Sequence, residues 1–228
     1  MKTEGGSAAA KRRAGERAAT QVEDGTVVGL GTGSTTAHAI RAIGEAVAGG
    51  LEVRGVPTSY QSRALAIDVG IPLTTLEEAD GIDLAIDGAD QIADGDLIKG
   101  GGAAHTREKF VAAAADRFLV VADPSKLVAD LDRSVPVETL PDARPVVEDR
   151  VRELGGEPGL RAAQRKDGPV VTDNGNLVLD CAFGTIDEPG ELARGLASIP
   201  GVVEHGLFVD MADVTYVGTE DGTDRRTY

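Results

Sequence analysis

The sequence predicts an α/β protein, with a mainly parallel sheet covered by helices on both faces and joined to a smaller α+β unit. Up to Lys126, short β-prone apolar runs alternate with Ala-rich helical stretches. The connections between them are short, as a parallel sheet with covering helices requires. Beyond Lys126 the texture changes to proline-punctuated segments with a hairpin signal. The expected division is 1–132 with 207–228 for the α/β catalytic domain and 133–206 for the small α+β domain.

Residues 8–21 are rich in Ala, Arg and Glu, with Gly15 as the weak helix former, so an N-terminal helix is expected. Asp24-Gly25 turns the chain into the apolar run 26–30, and a glycine loop then leads to a helix over 36–48. The run 51–56 reads as the second strand, followed by a helix over 60–69. Residues 82–86 and 118–122 are the third and fourth strands, separated by a helix over 103–117. Past Pro136, Pro141 and Pro145, a charged helix over 143–154 ends at Gly155-Gly156. Strand-like runs at 170–172 and 177–180 flank the turn Asp173-Asn174-Gly175-Asn176. A helix over 189–197 and the run 202–203 complete the smaller unit. The runs 207–209 and 214–217 are expected to return to the main sheet, and 219–228 to form a frayed polar tail.

A chain of 228 residues with 41% hydrophobic content can bury one sizeable core, or a main domain and a companion. Its net charge of -15 argues against nonspecific contact with nucleic acid or an anionic membrane. No apolar run approaches the roughly 20 residues of a membrane helix, and the start lacks a signal-peptide core, so a cytoplasmic location is expected. Cys181 stands alone and reads as a small buried hydrophobe, with no disulfide framework or cysteine metal cluster. Lysine is scarce: Lys2, Lys11, Lys99, Lys109, Lys126 and Lys166 are all there are. An acidic, lysine-poor surface is what a protein working in concentrated salt would show, since salt screens the repulsion among hydrated carboxylates.

In a Rossmann-like sheet, ligands bind beyond the C-terminal strand ends. Those ends here carry Gly31 to Thr35, Thr58-Ser59, Asp87 to Asp90, and Asp123 to Lys126. The first loop has Ser34 where a dinucleotide fingerprint needs its third glycine, and no P-loop lysine follows. Backbone amides at a helix start, with the hydroxyls of Thr32, Ser34 and Thr35 and the flexible Gly33, can still hold one phosphate group. An ordinary capped βα turn is the plainer alternative.

Asp87, Gly88, Ala89 and Asp90 could form a simple turn, but they sit at a strand end and are backed by Lys99. Lys99 precedes Gly100, Gly101 and Gly102, whose amides can approach a ligand closely and, with the ammonium, stabilise an oxyanion. Glu108 lies in the second turn of the helix expected from 103, on the face of Ala104. The residues leave open a solvated surface position or a desolvated base with a raised pKa. His38, His105 and His205 are too scattered for a metal site: His38 is expected to pack within its helix, His105 to lie at the surface and His205 in a turn.

Taken together, the loop 31–35, the Asp87-Gly88-Ala89-Asp90 run, Lys99 with the three glycines and Ala103-Ala104, the Thr106-Arg107-Glu108-Lys109 run, and Asp123 with Ser125-Lys126 resemble type A ribose-5-phosphate isomerase. The resemblance extends through 171–176 and 199–203. It implies interconversion of D-ribose 5-phosphate and D-ribulose 5-phosphate, in the non-oxidative pentose phosphate pathway, through an enediolate and without metal or organic cofactor. It further implies that Glu108 is the proton-transferring base and that Lys99 and the Gly100 to Gly102 amides stabilise the enediolate. Asp87 and Asp90 would hold the sugar hydroxyls, and Thr32 to Thr35 with Lys126, joined by Lys11, would bind phosphate. A homodimer or homotetramer is implied as well. Gln91 stands where the family commonly has Glu, and His105 where an apolar residue is common. The rival readings are a non-catalytic sugar-phosphate sensor, or a related sugar-phosphate deaminase or coenzyme A transferase-like enzyme.

Overall fold

The computed structural model describes residues 7–228. Helix α1 (Ala8–Ala19) starts at Ser7, whose hydroxyl accepts from the Ala10 amide at 3.0 Å. Strand β1 (Val27–Leu30), α2 (Thr36–Ala48), β2 (Arg54–Pro57) and α3 (Tyr60–Asp68) follow, α3 opening on a reciprocal capping box between Ser59 and Ser62. Strand β3 (Leu84–Gly88) leads into a hairpin of β4 (Gln91–Ala93) and β5 (Asp96–Ile98), then α4 (His105–Ala113) and β6 (Phe118–Ala122). Next come β7 (Val135–Thr139), α5 (Arg144–Glu153), β8 (Glu157–Leu160), β9 (Leu177–Ala182), α6 (Pro189–Ala197) and β10 (Val202–His205). The remaining strands are β11 (Leu207–Phe208), β12 (Val214–Gly218) and β13 (Thr223–Thr227).

The main sheet has the order β13-β12-β6-β3-β1-β2, parallel throughout except for the antiparallel edge strand β13. From β1 the chain crosses to β2 on one side and later returns to β3 on the other. The β1/β3 boundary is therefore the topological switch point where such sheets open a crevice. Its register pairs Leu30 with Ile86, which puts Gly31 abreast of Asp87. Both sheet faces are buried, which explains why the strands read as continuous apolar runs. Leu84, Ile86, Leu119 and Val121 pack with Ile40 and Ile43 of α2 on one face. Ala85, Phe118 and Val120 pack with Val111, Ala112 and Phe208 on the other. Each large side chain so buried contributes roughly 1.5–3 kcal/mol relative to exposure.

A four-stranded antiparallel sheet, β10-β7-β9-β8, has its own core with α5 and α6 around Val137, Val151, Leu179, Cys181 and Leu196. Burial also pushes the Cys181 thiol up to about 12, so it packs as a hydrophobe.

Several expected elements are corrected. The polar tail is not frayed: β13 pairs along the whole of β12, with Tyr216 opposite Arg225, although its mostly exposed side chains gave no apolar pattern to read. The run at 207–209 does not rejoin the main sheet; β11 pairs with β5 in a three-stranded sheet with β4. Residues 170–172 form no strand, and only Val171 bridges to Leu177. Among the described residues no helix is long and apolar enough to cross a membrane.

Gly15 has a packing reason. A Cβ there would lie 2.8 Å from Ala39 N, His38 Cβ and Thr35 O, where α1 crosses the start of α2. Alanine would favour the isolated helix by about 1 kcal/mol, but overpacking against backbone outweighs it. Gly15→Ala is expected to destabilise the protein by about 1–3 kcal/mol, seen as a lower midpoint in denaturant titration; an unchanged or raised midpoint would show that α1 and α2 can move apart.

Candidate active site

The β4–β5 hairpin leaves the main sheet after Gly88 and leads to Lys99, whose amide donates to Gly206 O at 2.8 Å. Lys99 is 3% exposed. Its Nζ lies 3.0 Å from Asp87 Oδ2 and 3.0 Å from Glu108 Oε2, and it also donates to the Gly88 carbonyl. One buried ammonium thus faces two buried carboxylates. Burial opposes its charge, but Asp87 and Glu108 more than offset this and hold the Lys99 pKa above its ordinary value. Burial, together with the neighbouring Asp87 charge, pushes Glu108 up to about 8 against the attraction of Lys99.

Asp87 is fixed by donors from three directions. Its Oδ1 accepts from Thr32 N at 2.9 Å, Gly88 N at 2.7 Å and Thr36 Oγ1 at 3.4 Å. A Cβ on Gly31 would lie 2.2 Å from the Asp87 carboxyl carbon, so glycine is required for this approach. Across the hairpin, Asp90 Oδ2 accepts from the Gly101 amide at 2.7 Å, which commits that amide to Asp90. Gly100 has φ of 101°, and its carbonyl accepts from Arg161 Nη1 at 2.8 Å.

The triad opens into a cleft. Lys99, Glu108, Asp90, Gly88, Ala89 and the three glycines 100–102 line one part of it. The loop 32–36, Lys11 of α1 and Lys126 line the rest. Lys126 ends a short 3-10 turn capped by Asp123, whose Oδ1 accepts from Ser125 N at 3.0 Å. Burial lowers its pKa against the pull of Asp90 and Asp123. No side chain caps α2; the Ala37 amide donates to Gly33 O at 2.9 Å and the His38 amide to Thr35 O at 3.1 Å. The Thr32 hydroxyl is already engaged, 2.8 Å from Thr58 Oγ1 and donating to Ser59 Oγ at 2.7 Å. Ser34, Thr35 and Thr36 also line the cleft, with the Thr36 hydroxyl directed to Asp87 Oδ1.

The expected residues therefore gather at one place, with Asp87 a layer behind the cleft wall. Helix α4 begins at His105, two residues later than expected, so Glu108 lies in its first turn. His105 is not at the surface: it is 0% exposed, its Nε2 lies 3.3 Å from Glu204 O, and burial pushes its pKa down to about 4. His205 ends β10 rather than lying in an open turn, and is also buried. Gln91 donates to Asp132 Oδ1 at 2.5 Å and accepts the amides of Asp132 and Arg133 at 3.0 Å. A glutamate there would set a carboxylate against Asp132. The contributions of Thr36, of the Gly88 carbonyl and of Arg161 had no signal in the sequence, because each depends on tertiary placement.

Comparison with known proteins bears on the family and the fold. Residues 54–222 match the family model of ribose 5-phosphate isomerase A (phosphoriboisomerase A). A ribose-5-phosphate isomerase A of Natronomonas pharaonis is 69% identical over 226 residues, covering 99% of this chain and 100% of the relative. That relative comes from a halophilic archaeon, in keeping with the acidic, lysine-poor composition. The solved ribose 5-phosphate isomerase A of Methanocaldococcus jannaschii superposes with a TM-score of 0.92 at 44% identity, over 96% of this chain and 98% of that one. A D-ribose-5-phosphate isomerase solved in complex with phospho-erythronic acid gives 0.93 at 43% identity, over 96% and 97%. By family model, by sequence over almost its whole length and by fold, the chain belongs to the ribose 5-phosphate isomerase A family.

Proposed function

We propose that the protein interconverts D-ribose 5-phosphate and D-ribulose 5-phosphate by proton transfer through an enediolate. The carrying observation is the Glu108 carboxylate held 3.0 Å from the buried Lys99 ammonium, in a cleft whose other part is an anion cradle. The phospho-erythronic acid bound by the solved relative is a phosphorylated sugar acid, of the chemical class this cleft suits.

In this reading the phosphate sits against Ser34, Thr35 and the start of α2, with Lys126 and Lys11 neutralising its charge. Asp90, which lines the cleft, takes the sugar hydroxyls and helps open the ring, while Asp87, a layer behind the wall, holds Lys99 through Oδ2. Glu108 then removes the C2 proton. The C2–H electron pair forms the C1=C2 bond, and the aldehyde π electrons move to O1, which becomes an oxyanion beside Lys99. Reprotonation at C1 by Glu108, loss of the O2 proton as the C2 carbonyl forms, and protonation of O1 give the ketose. The raised pKa of Glu108 suits a group that must both accept and return a proton near neutral pH.

The direct test is ketose formation from ribose 5-phosphate with excess EDTA, in low and molar salt. Turnover is expected in the chelator, with a loss of about 10²- to 10⁴-fold in Glu108→Gln. No turnover by the parent in either salt would refute the reading, and an unimpaired variant would remove Glu108 as the base. We also propose a homodimer or homotetramer, for which the exposed Tyr60, Phe110 and Leu140 offer apolar contact surface. Light scattering should give the mass of two or four chains; the mass of one chain would refute it.

A further inference from the structure

We propose that Glu138 is a positioning residue for Glu108, acting through Thr106 at the first turn of α4. This deepens the isomerase reading and rests on it. Glu138 lies on β7, in the four-stranded sheet, and is 0% exposed. Its Oε2 accepts from Thr106 Oγ1 at 2.5 Å. Its Oε1 accepts from Thr172 Oγ1 at 2.9 Å, Asn174 Nδ2 at 3.1 Å and Asn176 Nδ2 at 2.8 Å. A buried carboxylate is costly unless such donors surround it. Three of these donors belong to the turn 172–176, and the fourth is two residues from the base.

Helix α4 needs this hold because its start has no side-chain cap and its N-cap position is Ala104. Its first five residues, from His105 to Lys109, are all polar, so packing alone does not fix them. Four of the five are tied to the four-stranded sheet or its turn. His105 meets Glu204 O, and Thr106 meets Glu138. Arg107 Nε donates to Asn174 Oδ1 at 2.7 Å, an amide that Glu138 itself orients. Lys109 donates to Glu204 Oε1 and to His205 O, each at 2.6 Å. Glu108 alone reaches the other way, to Lys99. The base therefore belongs to a helix turn whose orientation is set from the smaller sheet, and Glu138 binds both Thr106 and the turn that holds Arg107. A carboxylate serving only to brace the turn 172–176 would not need Thr106.

Thr106→Val tests this, since it keeps the side-chain shape and leaves Glu138 its donors from the turn. The expected result is a kcat lower by roughly 10- to 100-fold with KM for ribose 5-phosphate nearly unchanged, as misplacement of a catalytic group produces. Glu108 would gain water, so the rising limb of the kcat/KM–pH profile should move to lower pH. Thr106→Ser, which restores the hydroxyl, should recover most of the activity, and Glu138→Gln should behave like Thr106→Val. A folded Thr106→Val protein with parental kcat and pH profile would overturn the proposal, as would a Thr106→Ser variant no better than it. Should the parent itself show no turnover, the isomerase reading fails separately. The positioning role is then read from the ¹³C-detected titration of the Glu108 carboxyl, and an unshifted titration in Thr106→Val overturns it.

Discussion

One ammonium shared by two buried carboxylates is the constraint on which the rest of this molecule depends. Lys99, Asp87 and Glu108 come from a hairpin end, a strand end and a helix, and each is almost wholly removed from water. Breaking such a buried pair by deleting one partner typically costs about 3–5 kcal/mol, because the remaining charge is stranded. The grouping is not a neutral pair, however. Burial first, and then the Asp87 charge that the same ammonium must offset, disfavour the negative charge on Glu108, and that is the condition for a carboxylate to act as a base near neutral pH. The surrounding features follow from meeting this demand. Gly31 makes room for Asp87, three protein donors satisfy Asp87 Oδ1, and the β4–β5 hairpin with β11 carries Lys99 into place.

The sequence revealed the parts that follow local rules. The parallel strands showed as apolar runs because both sheet faces are buried, and the loops at their C-terminal ends stood out by their hydroxyls, carboxylates and glycines. Glu108 was visible as a candidate base, through the resemblance, but its desolvation was not, since burial is a tertiary property. His105 looked like a surface residue because its helix start is polar throughout, whereas the turn packs against β10 and buries it. The strand β13 has no alternating pattern, since an edge strand can be held by backbone pairing alone. The hydroxyl of Thr32 was expected on phosphate, yet it bonds Thr58 and Ser59, contacts no periodicity could disclose.

The distribution of lysines joins composition to chemistry. Four of the six fall in or beside the site: Lys11, Lys99 and Lys126 line the cleft, and Lys109 is held by Glu204 and His205. Elsewhere the cations are almost all arginine, on a chain of net charge -15. On so acidic a protein a general positive field cannot draw in a phosphorylated sugar, and in the proposed reading local charges and helix-start amides hold it. Concentrated salt screens the long-range repulsion while leaving these short-range contacts in place.

The central claim is that Lys99 stays charged while Glu108 takes up and releases a proton near neutral pH. Titration of the protein followed by ¹³C NMR, with labelled glutamate carboxyl and lysine Cε carbons assigned through Glu108→Gln and Lys99→Met, measures both groups directly. Glu108 should titrate near pH 8, with the Lys99 signal unchanged through that range. A Glu108 midpoint at the ordinary carboxylate value of about 4.3, or loss of the Lys99 proton before that of Glu108, would contradict the account.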